Sequence, residues 1–263
     1  MKVGLVCIAK LEYYYIEEFV TYHLLLGFDT IYIYDNEDLP TYYKILKDYL
    51  NYIKIIHLPG NEYEKGVQYI ALDHFIKNFM YKDNLTHICH IDCDEFIALK
   101  KHKKIKDFIK EYIKGDCAGI GMNWRYFGSN GLKKYNNRPI LERFTKCDKY
   151  GDKHIKTLFD VSKFSHFLDC HSIMPKNNYK IKNTLGREII GPFNEKIDLS
   201  VIQLNHYKCK TLQEFKFVRQ RGHADFNKSS QPNQNIERAF EVYNKNDVED
   251  LAAYNFYKKF IKN

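Results

Sequence analysis

His87-Ile88-Cys89-His90-Ile91-Asp92-Cys93-Asp94-Glu95-Phe96 is the stretch on which the fold turns. His87 to Ile91 reads as a buried strand, and it ends on two carboxylates one residue apart. Carboxylates so placed can converge on one hard cation, because Mg²⁺ and Mn²⁺ prefer oxygen ligands and often bridge protein acids to substrate phosphates. An isolated pair of this kind also arises in solvated turns. Here the apolar strand before it and Phe96-Ile97 after it set the acids at a strand end.

Upstream, the pattern repeats. Val3 to Ile8 is a nearly continuous apolar run, as a strand buried on both faces requires. Ile16, Phe19, Val20, His23 and Leu24 recur at helical spacing, and Gly27 offers the stop. Thr30 to Tyr34 is a β-branched and aromatic strand ending on Asp35-Asn36, and Pro40 marks a turn before a short helix over 42–50. Tyr52 to Leu58 is a third strand, and a second long helix is expected over 63–79. Strand and helix alternating in this way predict an α/β, Rossmann-like, doubly wound and mostly parallel sheet flanked by helices. Such sheets bind ligands at the carboxyl ends of their strands, where Asp35 and Asp92 fall.

Downstream the rhythm loosens. A helix is expected near 105–113, and a strand from Cys117 to Asn123 runs into Trp124-Arg125-Tyr126-Phe127-Gly128-Ser129. Val201 to Asn205 reads as a strand followed by His206-Tyr207. Thr211 and Glu214 form a capping box for a helix to Arg221, with Gly222 as its stop. Residues 224–234 are polar and turn-rich, and 236–261 look helical. The expected organisation is one catalytic domain over 1–223 and a linker with a helical C-terminal extension over 224–263.

Composition narrows the class. The chain has 263 residues, 44% of them hydrophobic, which suits one large α/β domain and excludes a disordered chain. A net charge of +8 favours anionic partners without choosing among them. The seven cysteines contain no C-x-x-C pair, which fits reduced thiols and a cytoplasmic location. The first residues are too soon interrupted for a signal peptide, and no apolar run approaches the ~20 residues of a membrane span. No helix-turn-helix, RNP-type or zinc-knuckle pattern supports a nucleic-acid partner.

The motifs together resemble those of family 2-like and family 92-like glycosyltransferases. The resemblance runs through Ala9-Lys10-Leu11-Glu12, Ile16 to His23, Leu26-Gly27-Phe28, Ile33-Tyr34-Asp35-Asn36, His90 to Phe96 (the D-x-D-E-F motif), Trp124 to Ser129 and Leu204 to Tyr207. They keep the family's order over about residues 3–222. Two loops depart from it: Lys10-Leu11-Glu12 stands where Lys-Asn-Glu is usual, and Asp35-Asn36-Glu37-Asp38 lacks the usual serine. The resemblance implies a GT-A fold, a UDP-sugar donor, a glycan or lipid-linked acceptor and a divalent metal, Mn²⁺ or Mg²⁺. Relatives in family 92 are inverting galactosyltransferases, which implies a hexose of galactose or glucose type.

It also implies roles. Ala9, Lys10, Glu12, Asp35 and Asn36 border the nucleotide, although Asp35 equally suits a cap on the next turn. Asp92 and Asp94 hold the metal, with His206 as a third candidate that could instead be a hydrogen-bonded histidine beneath a helix start. Lys156 lies near the donor phosphates or is simply solvated. Inversion needs a base on the opposite face of the sugar, expected to be a carboxylate, for which Asp169, Glu142 and Asp116 are candidates; any of them could be a surface acid. Trp124, Phe127 and His171 are candidates for the acceptor side, and Trp124 equally suits the core.

A retaining transferase, a nucleotidyltransferase, an inactive carbohydrate-binding relative and a basic nucleic-acid binder are the competing readings. Five lysines within 100–106, with Tyr254, Phe256, Tyr257 and Phe260 among lysines near the C-terminus, leave two further readings open. One is a solvated loop with a packed helix. The other is peripheral contact with an anionic inner membrane leaflet.

Overall fold

The computed structural model describes residues 1–60, 66–219 and 235–260. β1 (Val3–Ala9) is buried along almost its whole length. It leads into α1 (Ile16–Leu26), which Gly27 ends at φ +109° by donating its N–H to the His23 and Leu24 carbonyls. β2 (Thr30–Asp35) lies parallel to β1, with Ala9 opposite Asp35. After α2 (Tyr42–Ile45), β3 (Ile53–His57) adds in parallel to β2. α3 (Val67–Phe75) continues as a π-helical turn to Met80, so the helix begins later than the periodicity suggests; residues 61–65 lie outside the described set. β4 (His87–His90) then pairs in parallel with the other side of β1. Parallel pairing points these strands the same way, so Ala9, Asp35 and Asp92 gather at one edge of the sheet.

The next elements are β5 (Glu95–Leu99), α4 (Ile105–Tyr112), β6 (Cys117–Tyr126), α5 (Ile140–Arg143), β7 (Lys146–Cys147) and β8 (Ile155–Asp160). They are followed by β9 (Phe164–Phe167), β10 (Ile173–Pro175), β11 (Lys180–Lys182), β12 (Glu188–Ile189) and β13 (Ile202–His206). The described chain closes with α6 (Leu212–Arg219), α7 (Ile236–Tyr243), β14 (Val248–Glu249) and α8 (Ala252–Tyr257).

The expected α/β architecture stands: the sheet is mixed, with most of its strands running the same way and β5, β8 and β12 reversed. Its order is β12-β11-β6-β8-β4-β1-β2-β3, and β8 runs antiparallel to both β4 and β6. That inversion has a consequence for the site. The first residues of β8, not its last, lie at the edge where β4 and β6 end. β13 pairs in parallel with β6 and antiparallel with β5, which brings His206 opposite Glu95.

The helix expected over 236–261 is corrected. It divides into α7, β14 and α8, because Asn244 and Asn246 between them are used as bridges. Their side-chain oxygens accept the N–H groups of Ser129 and Asn130, each at 2.9 Å. Gly128 lies so close beneath that a Cβ there would sit 2.3 Å from the Lys245 carbonyl. β14 pairs with β7, and Ala253 and Tyr257 of α8 are buried in the main core. The Thr211–Glu214 capping box forms as expected, with Glu214 N–H donating to Thr211 Oγ1 at 3.2 Å and Thr211 N–H to Glu214 at 3.1 Å. Arg221, Gly222 and the polar stretch 224–234 lie outside the described residues.

His23 is fully buried among Phe19, Tyr22, Phe28 and Phe96. Burial pushes its pKa down to about 3, against 6.5 for an ordinary histidine. The unfolded chain therefore binds a proton that the folded chain refuses. The stability held by this neutral ring is complete above about pH 6.5 and is lost as pH falls toward about 3. Denaturant melts should show the wild type losing up to ~1.4 kcal/mol per pH unit more than His23→Gln in that window. Parallel acid limbs for the two proteins would refute a buried neutral His23.

Candidate active site

Asp92-Cys93-Asp94 forms the turn between β4 and β5. The Asp92 N–H donates to Glu95 Oε2 at 2.8 Å, and the Glu95 N–H to the Asp92 carbonyl at 3.0 Å. Cys93 Sγ donates to the Ile8 carbonyl at 3.4 Å, and the Tyr207 N–H to the Asp94 carbonyl at 2.8 Å. The turn is thus held to the end of β1 on one side and to the end of β13 on the other.

Lys156, from the start of β8, is fully buried, with Nζ 3.4 Å from Asp92 Oδ2 and donating to the Cys170 carbonyl at 3.0 Å. Burial opposes the ammonium, but Asp92 and Glu95 outweigh it and hold the Lys156 pKa above the ordinary lysine value. Burial likewise opposes the Asp92 carboxylate, and Lys156 more than offsets it, so its pKa is lowered. Asp92 and Lys156 are a charged pair. Glu95 behaves differently: burial, reinforced by Asp92 and Asp94, drives its pKa well above the usual carboxylate range.

His206 Nε2 stands 3.6 Å from Asp94 Oδ1, and its Nδ1 3.8 Å from Glu95 Oε1. Among the described residues, neither His206 Nδ1 nor Glu95 Oε1 has a hydrogen-bond partner. Burial lowers the His206 pKa, against the pull of Asp94. Trp124 meets the ring edge-on at 4.5 Å and Tyr126 stacks on it at 5.2 Å. Among the described residues, no three His, Cys, Asp or Glu side chains are grouped as a complete metal cage.

On the nucleotide side of the expectation, the structure places Ala9 beside Asn36, whose N–H donates to the Ala9 carbonyl at 2.9 Å. Asp35 is buried, and its carboxylate accepts the N–H groups of Glu37, Thr41 and Tyr42 at 3.1, 2.7 and 3.2 Å; it caps the following turn. Asn36 Nδ2 donates to the Leu58 and Gly60 carbonyls at 2.7 and 2.8 Å. Lys10 is half-buried and follows directly on β1, whereas Glu12 is buried, with Lys210 Nζ at 3.9 Å. Glu37, not singled out in the sequence, accepts hydrogen bonds from Leu11 N–H and the Tyr13 and Tyr42 hydroxyls and ties these loops together.

The carboxylates considered as bases lie in less suitable places. Asp169 Oδ1 accepts the N–H groups of His171 and Ser172, each at 2.7 Å, and organises that turn. Glu142 pairs with Arg138 along α5 at 3.2 Å. Asp116 pairs with Lys182 at 2.7 Å at the far end of β6, roughly 26 Å from Trp124 at ~3.3 Å per residue. Phe127 is buried in the core against Tyr207. Trp124, 6% exposed, contacts His171 at 5.2 Å and stacks on His154 at 4.8 Å and 19°. His171 Nδ1–H donates to the Ile155 carbonyl at 3.1 Å, and burial with Lys156 nearby lowers its pKa to about 4.

The lysine cluster is largely occupied: Lys100 pairs with Asp250 at 3.6 Å, Lys106 with Asp29 at 2.6 Å, and Lys104 donates to the Leu25 carbonyl at 2.6 Å. Phe256 packs on Tyr22. No helix among the described residues is long and apolar enough to cross a membrane.

An acidic turn thus lies at the carboxyl edge of the α/β sheet, braced by a buried lysine and a histidine from distant strands. The sequence profile of glycosyltransferase family 92 matches residues 4–252. The chain belongs to that family and is a glycosyltransferase. No curated protein matches it. Among solved structures, S. aureus TarS aligns at 14% identity over 52% of this chain and 23% of its own, with TM-score 0.33. A UDP-glucose pyrophosphorylase complexed with UDP-glucose aligns at 13% identity over 61% of this chain and 69% of its own, with TM-score 0.29. At such scores neither alignment carries weight.

Proposed function

We propose that this domain transfers a hexose of galactose or glucose type from a UDP-sugar to a hydroxyl of a glycan or lipid-linked acceptor, with inversion and with Mn²⁺ or Mg²⁺. The observation that carries the reading is the pairing of Asp94 with His206 beside the charged Asp92–Lys156 pair, at the sheet edge where ligands of such folds bind. A carboxylate and a neutral imidazole within 3.6 Å are a donor set that suits Mn²⁺. Among the described residues no three His, Cys, Asp or Glu side chains form a cage there, so substrate phosphate and water would complete the shell, as is usual for such cations. Once held by Asp94 and His206, the cation would supply positive charge against the donor diphosphate. Lys156 fixes Asp92 through its ammonium and keeps that carboxylate ionised. Trp124 and Tyr126 hold the His206 ring in place.

Shared binding of this kind is cooperative by linkage. UDP should therefore raise the melting temperature by several degrees with Mn²⁺ present and by less than one degree after chelation. A panel of UDP-sugars with Mn²⁺, followed for nucleoside diphosphate release, identifies the donor. Equal melting shifts with and without Mn²⁺ would overturn the cation-bridged arrangement.

A further inference from the structure

Inversion requires a base on the acceptor side, and Asp169, Glu142 and Asp116 are occupied or remote. We propose that His154, oriented by Asp152 and backed by Trp124, is the general base that takes the proton of the attacking hydroxyl; this rests on the transfer reaction proposed above. His154 Nδ1 lies 2.6 Å from Asp152 Oδ1, with the two side chains 35% and 31% exposed. A carboxylate at that distance selects the Nδ1–H tautomer and leaves the Nε2 lone pair to accept a proton.

The pair is rigidly mounted. Asp152 N–H donates to the Trp124 carbonyl at 2.8 Å, and Trp124 N–H to the His154 carbonyl at 2.9 Å. Asn123 Nδ2 holds the Asp152 carbonyl at 3.0 Å. Trp124 lies between His154 and His206, so the dyad sits one aromatic ring away from the site proposed for the cation. Trp124 Nε1 is buried there with no hydrogen-bond partner among the described residues. Phe193 meets the imidazole edge-on at 4.8 Å, and the His154 side chain stays 35% exposed, open to an acceptor.

In the step, the acceptor oxygen bonds to the anomeric carbon while its proton passes to His154 Nε2. The bond from that carbon to the diphosphate oxygen breaks, and the electron pair leaves with the diphosphate. The imidazolium then returns the proton to water at the exposed edge.

Donor hydrolysis is the test, because water can stand in for the acceptor hydroxyl. With the preferred UDP-sugar and Mn²⁺, His154→Ala and His154→Gln should each hydrolyse about 10²-fold more slowly, while keeping the melting shift given by UDP and Mn²⁺. Imidazole in the buffer should restore part of the His154→Ala rate. Asp152→Asn should also slow hydrolysis while keeping the melting shift given by UDP and Mn²⁺, because the imidazole loses the partner that fixes its tautomer. The other titratable groups facing His154 are His171, 5.9 Å away across the site, and His206 behind Trp124; the Lys153 ammonium turns to Phe193 and Glu195. Hydrolysis by His154→Ala within threefold of wild type overturns the assignment. So does a slow variant that imidazole leaves slow, with hydrolysis unchanged by Asp152→Asn. A wild type that neither hydrolyses a UDP-sugar nor gains the UDP shift removes the donor reading and this one with it.

Discussion

Asp94→Ala should lose about 10³-fold in turnover, the upper range for removing one preorganised charge-stabilising group, and yet melt close to the wild type. The two parts of this expectation have different origins. In turnover, Asp94 Oδ1 and His206 Nε2 form the pair proposed to hold the cation, and alanine removes the carboxylate from it. In stability, the Asp94 carbonyl accepts the Tyr207 N–H, a tie between the turn and the end of β13 that alanine keeps. Removing the carboxylate also relieves an acidic cluster, since Asp94 contributes to raising the Glu95 pKa. Steady-state rates on the identified UDP-sugar, with melting curves for both proteins, separate the two effects. Unchanged turnover in a folded Asp94→Ala protein would remove Asp94 from the site.

Glu214→Ala should produce the largest stability loss of any single change considered. Arg143 Nη1 donates to both Glu214 oxygens and Nη2 to Oε1, all at 3.0 Å, with the side chains 1% and 5% exposed. The guanidinium lies over Phe144 at 4.6 Å and Tyr135 at 5.4 Å. Glu214 also accepts the Thr211 N–H and the Tyr15 hydroxyl, so it joins α5, α6 and the loop before α1. Taking it away strands a buried cation, at a cost of about 3–5 kcal/mol. For a chain of this size that is a fall of roughly 6–20 °C in melting temperature. Arg143→Met combined with Glu214→Leu should recover much of the loss, because the cost comes from the unpaired charge.

The same pair sets an acid limit. Burial opposes the Glu214 carboxylate, but Arg143, Thr211 and Tyr15 outweigh it and lower its pKa. Its contribution is present above the ordinary glutamate pKa and is lost as pH falls through the depressed folded value. A Glu214→Ala protein melting within a few degrees of wild type would show that the ion pair is not held as described.

The amino-acid sequence by itself determined the first half of the sheet, the acidic turn and the capping box at Thr211. Those features are written in short-range patterns: contiguous apolar residues, Gly27 where a left-handed residue is needed, and polar residues at strand ends. Asp92 and Asp94 were legible because their meaning depends on the strand just before them. Only the tertiary structure decided what surrounds them. Lys156 reaches Asp92 from 156 − 92 = 64 residues away because β8 is inserted antiparallel, and His206 reaches Asp94 because β13 pairs with β5. Likewise, Asp35 and Asn36 are engaged by backbone groups, Asp169 is spent on its own turn, and the Asp152–His154 pair is turned toward Trp124. A residue's local pattern states its type and its element. Its partner is set by which strands pair across the sheet, and that pairing is a long-range choice made by packing of the whole core, with no periodicity along the chain to announce it.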